Sequence, residues 1–427
     1  ALYGNSSLGG AISVITRQPG FDFAGDVRYR HGLEYNEPLL EAAVDVPLND
    51  RFAVRLAGIW SDQRDGLFPN DATGDSEPWR QNEAGRMNAL WLPSDELSIA
   101  LRHEQGQFER NGNIFDVYKH VDGHGNPWPN SYFTGIDDGR LNIANGDPFK
   151  YQDSFLANDM EETRIEVQYA FETATLTSIS GYSGYRYRQS ADVDITPATL
   201  INVYQDEDFS QFSQELRIAG EWTGSVDYLA GVYLQSDNFR NDYLSDFNLP
   251  ELVAPVFGIP SSLAADLIHP FTRHILIDQD TEQWALFGNL DFELSERLTA
   301  SVGYRYLMLE KDARQAVRVA NIDHVDSLGD LIDVRWLSPD LAPLLLGNPD
   351  YLADPTGYVL VLPDGTEIAP VLAPNNVVGY SIVSAGTGDL HQFDDLSREE
   401  QHPMYQISLA YQWSEDLLAY EIGRAHV

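Results

Sequence analysis

The chain contains no cysteine, which excludes disulfides, thiolate metal sites and cysteine nucleophiles. It has no run approaching the roughly 20 consecutive apolar residues of a membrane-spanning helix. Basic residues are scarce: 27 Lys+Arg stand against 66 Asp+Glu, for a net charge of -39. A surface that acidic repels phosphate backbones and excludes nucleic acid as a partner. Most of this acid is read as keeping loops solvated, and it suits an exported protein. A start methionine and a basic, apolar leader are both missing ahead of Ala1-Leu2-Tyr3-Gly4, so the N-terminus is expected to be truncated.

What is present is apolar material in short pieces. Of 427 residues, 43% are hydrophobic and 11% aromatic, enough for two or three soluble domains or for one large barrel. The dominant pattern is period-two alternation in segments of about ten residues. Tyr405, Ile407, Leu409, Tyr411 and Trp413 share one face, with Gln406, Ser408, Ala410 and Gln412 on the other. Ile165, Val167, Tyr169 and Phe171 oppose Arg164, Glu166 and Gln168; Leu97, Ile99 and Leu101 oppose Ser98, Ala100 and Arg102; Val302, Tyr304 and Tyr306 oppose Ser301, Gly303 and Arg305. Each segment therefore has one greasy face and one wet face.

A soluble sandwich would alternate in the same way, so the connections decide. Short turns at 47–50, 93–96, 172–174, 222–225, 295–297 and 414–416 take turns with long polar excursions at 62–83, 108–160, 187–208, 237–279 and 311–401. Loops beyond ~15 residues are uncommon in compact soluble domains. Tight turns at one end and long loops at the other are the topology of a bacterial outer-membrane barrel. Trp91, Trp222 and Trp413 sit beside short turns, where an interfacial girdle belongs, and Tyr182, Tyr185, Tyr187, Tyr304 and Tyr306 lie toward the long-loop ends. About thirteen strands are expected, an odd number and hence an open piece of a barrel.

The first twenty residues differ from this pattern. Leu2-Tyr3-Gly4, a small polar stretch, Gly9-Gly10-Ala11-Ile12-Ser13-Val14-Ile15-Thr16 and then Arg17-Gln18-Pro19 combine a glycine turn with a β-branched strand. With alternating strands behind it, this string resembles the closing segment of the plug in TonB-dependent outer-membrane receptors, Ser13 standing where that family usually has Asn. The pairs of segments Gln211–Ile218 with Tyr228–Tyr233, and Thr281–Leu290 with Leu298–Tyr306, resemble hairpins of the same family, so the resemblance covers almost the whole chain. It implies an all-β fold, a transmembrane antiparallel barrel of the plugged 22-strand class, about half of whose strands are present. Residues 1–20 are then the C-terminal end of the plug, and 21–420 a partial barrel. Residues 421–427 (Glu421 to Val427) read as the translation of a sequencing adapter.

The resemblance further implies a receptor that imports a scarce ligand using energy delivered through TonB, whose contact segment would precede Ala1. A ferric siderophore is the first expectation for that ligand; cobalamin, haem or an oligosaccharide are alternatives. It implies a multi-pass monomer in the bacterial outer membrane, in contact with lipid and lipopolysaccharide. The family plug motif falls on Leu2, Tyr3, Gly4, Gly9, Gly10, Ala11, Ile12, Val14, Thr16 and Pro19. A passive porin and a surface adhesin or soluble β-sandwich lectin are the rival classes.

Catalytic signatures are weak. His120, Asp122 and His124 form a loose metal-ligand candidate, but the glycines and prolines around them argue for an ordinary outer loop. Asp206, Glu207 and Asp208 are read as a solvated rim ahead of a strand, with calcium or a cationic ligand as the sharper alternative. Gly181-Tyr182-Ser183-Gly184 lacks the spacing of a nucleophile elbow. Asn5-Ser6-Ser7 fits a glycosylation acceptor, without consequence inside a bacterial plug. Arg164, Glu166, Arg217 and Arg305 are expected to face the lumen. No catalytic residue and no cofactor is assigned.

Overall fold

The computed structural model describes residues 15–112, 154–194, 200–248, 271–321, 360–361, 367–368, 392–414 and 417–426. Its strands are β1 (Ala24–Gly32), β2 (Glu37–Asn49), β3 (Phe52–Gln63), β4 (Phe68–Pro69), β5 (Ser76–Glu77), β6 (Arg80–Trp91), β7 (Leu97–Asn111), β8 (Phe155–Ala170) and β9 (Ala174–Asp192). There follow β10 (Ile201–Thr223), β11 (Val226–Phe247), β12 (Phe271–Ser295), β13 (Leu298–Asn321), β14 (Leu360–Val361), β15 (Glu367–Ile368), β16 (Gln392–Ser414) and β17 (Leu417–His426). β4 pairs with β5 and β14 with β15 in small ladders; the other strands form one 13-stranded sheet in strict chain order. Every pairing in that sheet is antiparallel.

The short turns explain the register. The β2–β3, β10–β11, β12–β13 and β16–β17 hairpins each carry a register shift next to their turn, at Pro47/Asn49, Glu221/Thr223, Glu293/Ser295 and Gln412/Ser414. A bulge there adds twist and lets a short loop close. Polar side chains hold the turn backbone: Asn49 Oδ1 accepts from the Arg51 N–H at 2.8 Å, and Ser94 Oγ accepts from the Glu96 and Leu97 N–H groups at 3.3 and 3.2 Å. These are the local bonds for which Asn and Ser are favoured in turns.

Because side chains alternate, each register fixes which residues share a face across the whole sheet. On one face lie Tyr405, Ile407 and Leu409, exposed by 47%, 63% and 48%, with Ile165, Leu216, Val302 and their neighbours. Trp91, Trp222 and Trp413 close that face at the short-turn edge, all of them exposed. On β10 it stays mostly apolar from Trp222 to Phe212; ten residues of tilted strand span about 25 Å, the height of an outer-membrane apolar band. The opposite face carries Asp45, Arg55, Asn88, Arg102, Arg164, Arg217 and Arg305. One apolar face and one wet face across a long antiparallel sheet is the arrangement of a membrane-spanning barrel wall.

Two sequence expectations need correcting. The excursions at 187–208, 237–279 and 311–401 are strand at both ends, since β9 runs to Asp192 and β10 begins at Ile201, β11 runs to Phe247 and β12 begins at Phe271, and β13 runs to Asn321 and β16 begins at Gln392. The strands outgrow the alternating band: at Asp206-Glu207-Asp208 both faces are acidic and at Ile275-Leu276-Ile277 both are apolar, so the period-two signal vanishes while the backbone ladder continues. The tyrosines near the long-loop ends also divide: Tyr182 and Tyr304 lie on the apolar face, whereas Tyr185 and Tyr187 lie on the wet one. β17 continues to His426, paired with β16.

Candidate functional site

The wet face holds the candidate site, and its lowest part is built around one carboxylate. Val44 and Val46 face outward, so Asp45 must face inward, directly opposite Arg55 in the β2–β3 register. Asp45 Oδ2 lies 2.6 Å from Arg55 Nη1, with Asp45 1% and Arg55 12% exposed. The segment Ile15–Gly20, which has no strand partner of its own, is tied to this pair. Gly20 N donates to Asp45 Oδ1 at 3.2 Å, Arg17 Nη2 stands 3.6 Å from Asp45 Oδ2, and Asn88 Nδ2 donates to the Arg17 carbonyl at 3.1 Å. Pro19 is buried and Thr16 half-buried in the same segment. The chain thus reaches the wall from the lumen side and is strapped there before β1 begins.

Above the strap runs a belt of paired charges. Glu104 accepts from Arg86 at 2.7 Å and from Arg102 at 2.8 Å; Arg164 pairs with Glu166 at 2.6 Å and Arg217 with Glu215 at 3.0 Å. Arg305 is only 5% exposed and lies over the rings of Phe287 and Tyr233, at 5.7 and 6.0 Å from their centroids. Its delocalised cation suits such aromatic cover. The four lumen residues expected from the sequence are therefore on this face, three of them in ion pairs and the fourth stacked.

Higher still, the wall changes to phenols and amides. Tyr185 Oη donates to Glu207 at 2.7 Å, Tyr233 Oη donates to Gln235 at 2.8 Å, and Gln283 Nε2 donates to Gln235 Oε1 at 3.0 Å. Gln205 links Glu207 and Gln189, with Nε2 donating to Glu207 at 3.1 Å and Oε1 accepting from Gln189 at 3.4 Å. Near the outer ends of β11 and β12, on the other face, His274 is fully buried with Nε2 2.9 Å from Asp242 Oδ1. Arg240 bonds the second oxygen of that carboxylate.

His120, Asp122 and His124 lie outside the described residues, as do Leu2, Tyr3, Gly4, Gly9, Gly10, Ala11, Ile12 and Val14 of the plug motif. Asp206, Glu207 and Asp208 are a correction: they sit inside β10 rather than ahead of it, and alternation separates them. Asp206 pairs with Arg186 at 2.7 Å on the outer face, while Glu207 faces the lumen. Among the described residues no group of three His, Asp or Glu side chains could hold a metal ion. Gly181–Gly184 is part of β9. Sequence reasoning missed the Asp45 strap; the signal that could have marked its carboxylate is an aspartate framed by Val44 and Val46 in an alternating strand.

No protein-family model matches the sequence. Among solved structures, the ferric yersiniabactin uptake receptor FyuA from Yersinia pestis superposes with a TM-score of 0.61 at 13% identity, over 95% of this chain and 47% of that one. The ferric-catecholate import receptor Fiu from E. coli K12, in its closed form, gives 0.59 at 10% identity over 98% and 52%. The siderophore receptor PiuA from Acinetobacter baumannii gives 0.55 at 9% identity over 95% and 49%. The chain spans about half the length of these structures. Its fold is that of a TonB-dependent receptor: a large antiparallel wall of the plugged-barrel type.

Proposed function

We propose that this chain forms part of the wall, and the exit of the plug, in a bacterial outer-membrane receptor that imports a scarce ligand by TonB-coupled active transport. The observation that carries the reading is the strap. A segment with the closing motif of a plug is bonded to the wet face of a membrane-type sheet through Asp45, which a passive pore has no need to hold. The outward band of apolar residues supports a multi-pass position in the outer membrane, against lipid and lipopolysaccharide, with the receptor acting as a monomer. Ferric siderophores lead the ligand classes because the similar structures are uptake and import receptors for them; cobalamin, haem and oligosaccharides follow. The chain's own chemistry is binding and gating rather than catalysis. Its charged belt offers a plug many exchangeable ion pairs, and remodelling the plug against it would open a path.

The test is uptake of a radio-iron tris-hydroxamate and of a labelled neutral oligosaccharide mixture by cells carrying the complete gene. Accumulation of at least one should disappear when either the gene or TonB is deleted. Accumulation that survives loss of TonB would favour the passive porin instead, and recovery of the protein in the soluble fraction would favour the adhesin or lectin.

A further inference from the structure

We propose that a slanted groove on the outward face of the wall seats a membrane lipid whose head group carries a primary amine. The inference rests on the membrane position proposed above and adds to it a lipid partner at a defined place.

The groove crosses β2, β3 and β6 to β10 and has a volume of about 1080 Å³. Most of its lining comes from two cross-strand rows of outward-facing residues. The pairing register sets Ala42, Gly58, Gly85, Gln105, Glu161 and Gly184 in one row, and Leu40, Trp60, Glu83, Gln107, Asp159 and Arg186 in the next. The glycines of the first row make the floor. A Cβ added at Gly85 would meet nothing within 4 Å, and one at Gly58 only the Ala84 carbonyl at 3.5 Å. The wall's own packing therefore does not require these two glycines, and the space they leave lies outside it. The ends of the groove differ in height. A tilted strand climbs about 2.5 Å per residue. Leu56 and Met87, four residues from the short-turn ends of β3 and β6, stand about 10 Å up the apolar band. Glu83, Gln105 and Glu161, eight or nine residues from the ends of theirs, stand at about 20 Å, close to the outer limit of a band about 25 Å tall. An acyl chain on the glycine floor and against Leu56 and Met87 would thus carry its head outward.

The head end is acidic. Among the outward-facing residues of the lining, the carboxylates Glu83, Asp159, Glu161 and Asp208 stand against the guanidinium of Arg186 and the imidazole of His103. The cations of this face are already engaged. Arg186 holds Asp206 through bonds of 3.0 and 2.7 Å, Arg188 holds Asp159 at 3.3 Å, and His103 Nδ1 lies 2.9 Å from Thr163 Oγ1. Arg240, which faces Asp208 across the ladder, pairs with Asp242 at 2.9 Å. Among the described residues no cation forms an ion pair with Glu83 or Glu161; Glu161 accepts from the Tyr182 hydroxyl, a neutral donor that leaves its charge uncompensated. A primary ammonium is a compact charge with three donors and no acceptor. Seated over Gln105 and Gln107, it would have Glu83 on one side, Glu161 on the other and amide oxygens beneath. A phosphate head without an amine would meet the same carboxylates and find no uncommitted guanidinium fork.

The experiment uses the complete receptor encoded by the gene that carries this chain, purified in detergent with EDTA. It is titrated with phosphatidylethanolamine, phosphatidylglycerol or lipid A, and binding is read by native mass spectrometry. Phosphatidylethanolamine should bind about tenfold more tightly than phosphatidylglycerol, the difference one charge-assisted hydrogen bond makes. The Glu83→Gln/Glu161→Gln double variant should erase that preference. Gly85→Leu, which fills the floor, should weaken phosphatidylethanolamine binding about tenfold, and both variants should keep the wild-type circular-dichroism spectrum. The proposal is overturned if phosphatidylglycerol or lipid A binds as tightly as phosphatidylethanolamine, or if the double variant keeps the preference. It is also overturned if Gly85→Leu binds as wild type does, or if a second copy fills the groove, seen as a dimer that Gly85→Leu dissociates. Each of these results would leave the receptor reading intact; that reading fails separately, by TonB-independent uptake.

Discussion

Replacing Asp45 removes the one carboxylate that the lumen strap and the wall share. Three contacts change at once: the ion pair with Arg55 at 2.6 Å, the bond from Gly20 N at 3.2 Å and the approach of Arg17 at 3.6 Å. Removing one partner of a buried pair typically costs about 3–5 kcal/mol. Arg55 keeps a second carboxylate, Asp26, at 3.8 Å, which brings the cost within the sheet toward the low end. The strap itself loses less. Arg17 is 65% exposed, and an exposed pair contributes about 0–1 kcal/mol. The Gly20 bond falls from charge-assisted to neutral in Asp45→Asn, a loss of about 1 kcal/mol, and disappears in Asp45→Ala, about 1 kcal/mol more. Opening of the strap should therefore be about tenfold more frequent in Asp45→Asn and about a hundredfold in Asp45→Ala. Hydrogen exchange on the peptide spanning residues 17–22, followed by mass spectrometry in the complete receptor, reads this directly. Asp95→Asn, which removes an ion pair whose partners are 51% and 89% exposed, should leave that peptide unchanged. Equal exchange in wild type and Asp45→Ala would refute the strap as the anchor.

Other outcomes follow from the two faces of the wall. Val302→Arg, in the apolar band, should destabilise the folded receptor in lipid bilayers by about 2–4 kcal/mol in a denaturant titration, whereas Ser301→Arg, one residue away on the wet face, should cost far less; equal costs would mean the faces are misassigned. Gly231→Ala should be costly because an added Cβ would come within 2.6 Å of Phe287 and 2.9 Å of the Leu216 carbonyl; the same change at Gly85, with nothing within 4 Å, should leave the melting temperature unchanged. Glu104→Gln should lower stability by about 1–2 kcal/mol, since Arg86 and Arg102 share that acceptor, and Glu104→Gln/Arg86→Met should recover part of the loss.

The faces were legible in the sequence wherever a strand lies in the apolar band, because lipid on one side and water on the other enforce alternation at Tyr405–Trp413 and Ile165–Phe171. Where the strands rise beyond the band, water meets both sides, and Asp206-Glu207-Asp208 reads as a loop although it is ladder. The inward arginines followed from the same alternation. The upper wall did not, since Gln189 and Gln205, and likewise Gln235 and Gln283, come from different strands and meet only through register. The Asp45 strap joins residues 25 apart along the chain, a distance over which no local period carries information.

Planar-bilayer recording on the complete protein tests the proposed plugged, energy-coupled receptor most directly. A wall closed by a strapped plug should show no steady conductance in its native state, and channels should appear when the plug is displaced by a denaturant that leaves the barrel folded. A large, constitutive conductance without denaturant would contradict the account and make the protein a passive pore.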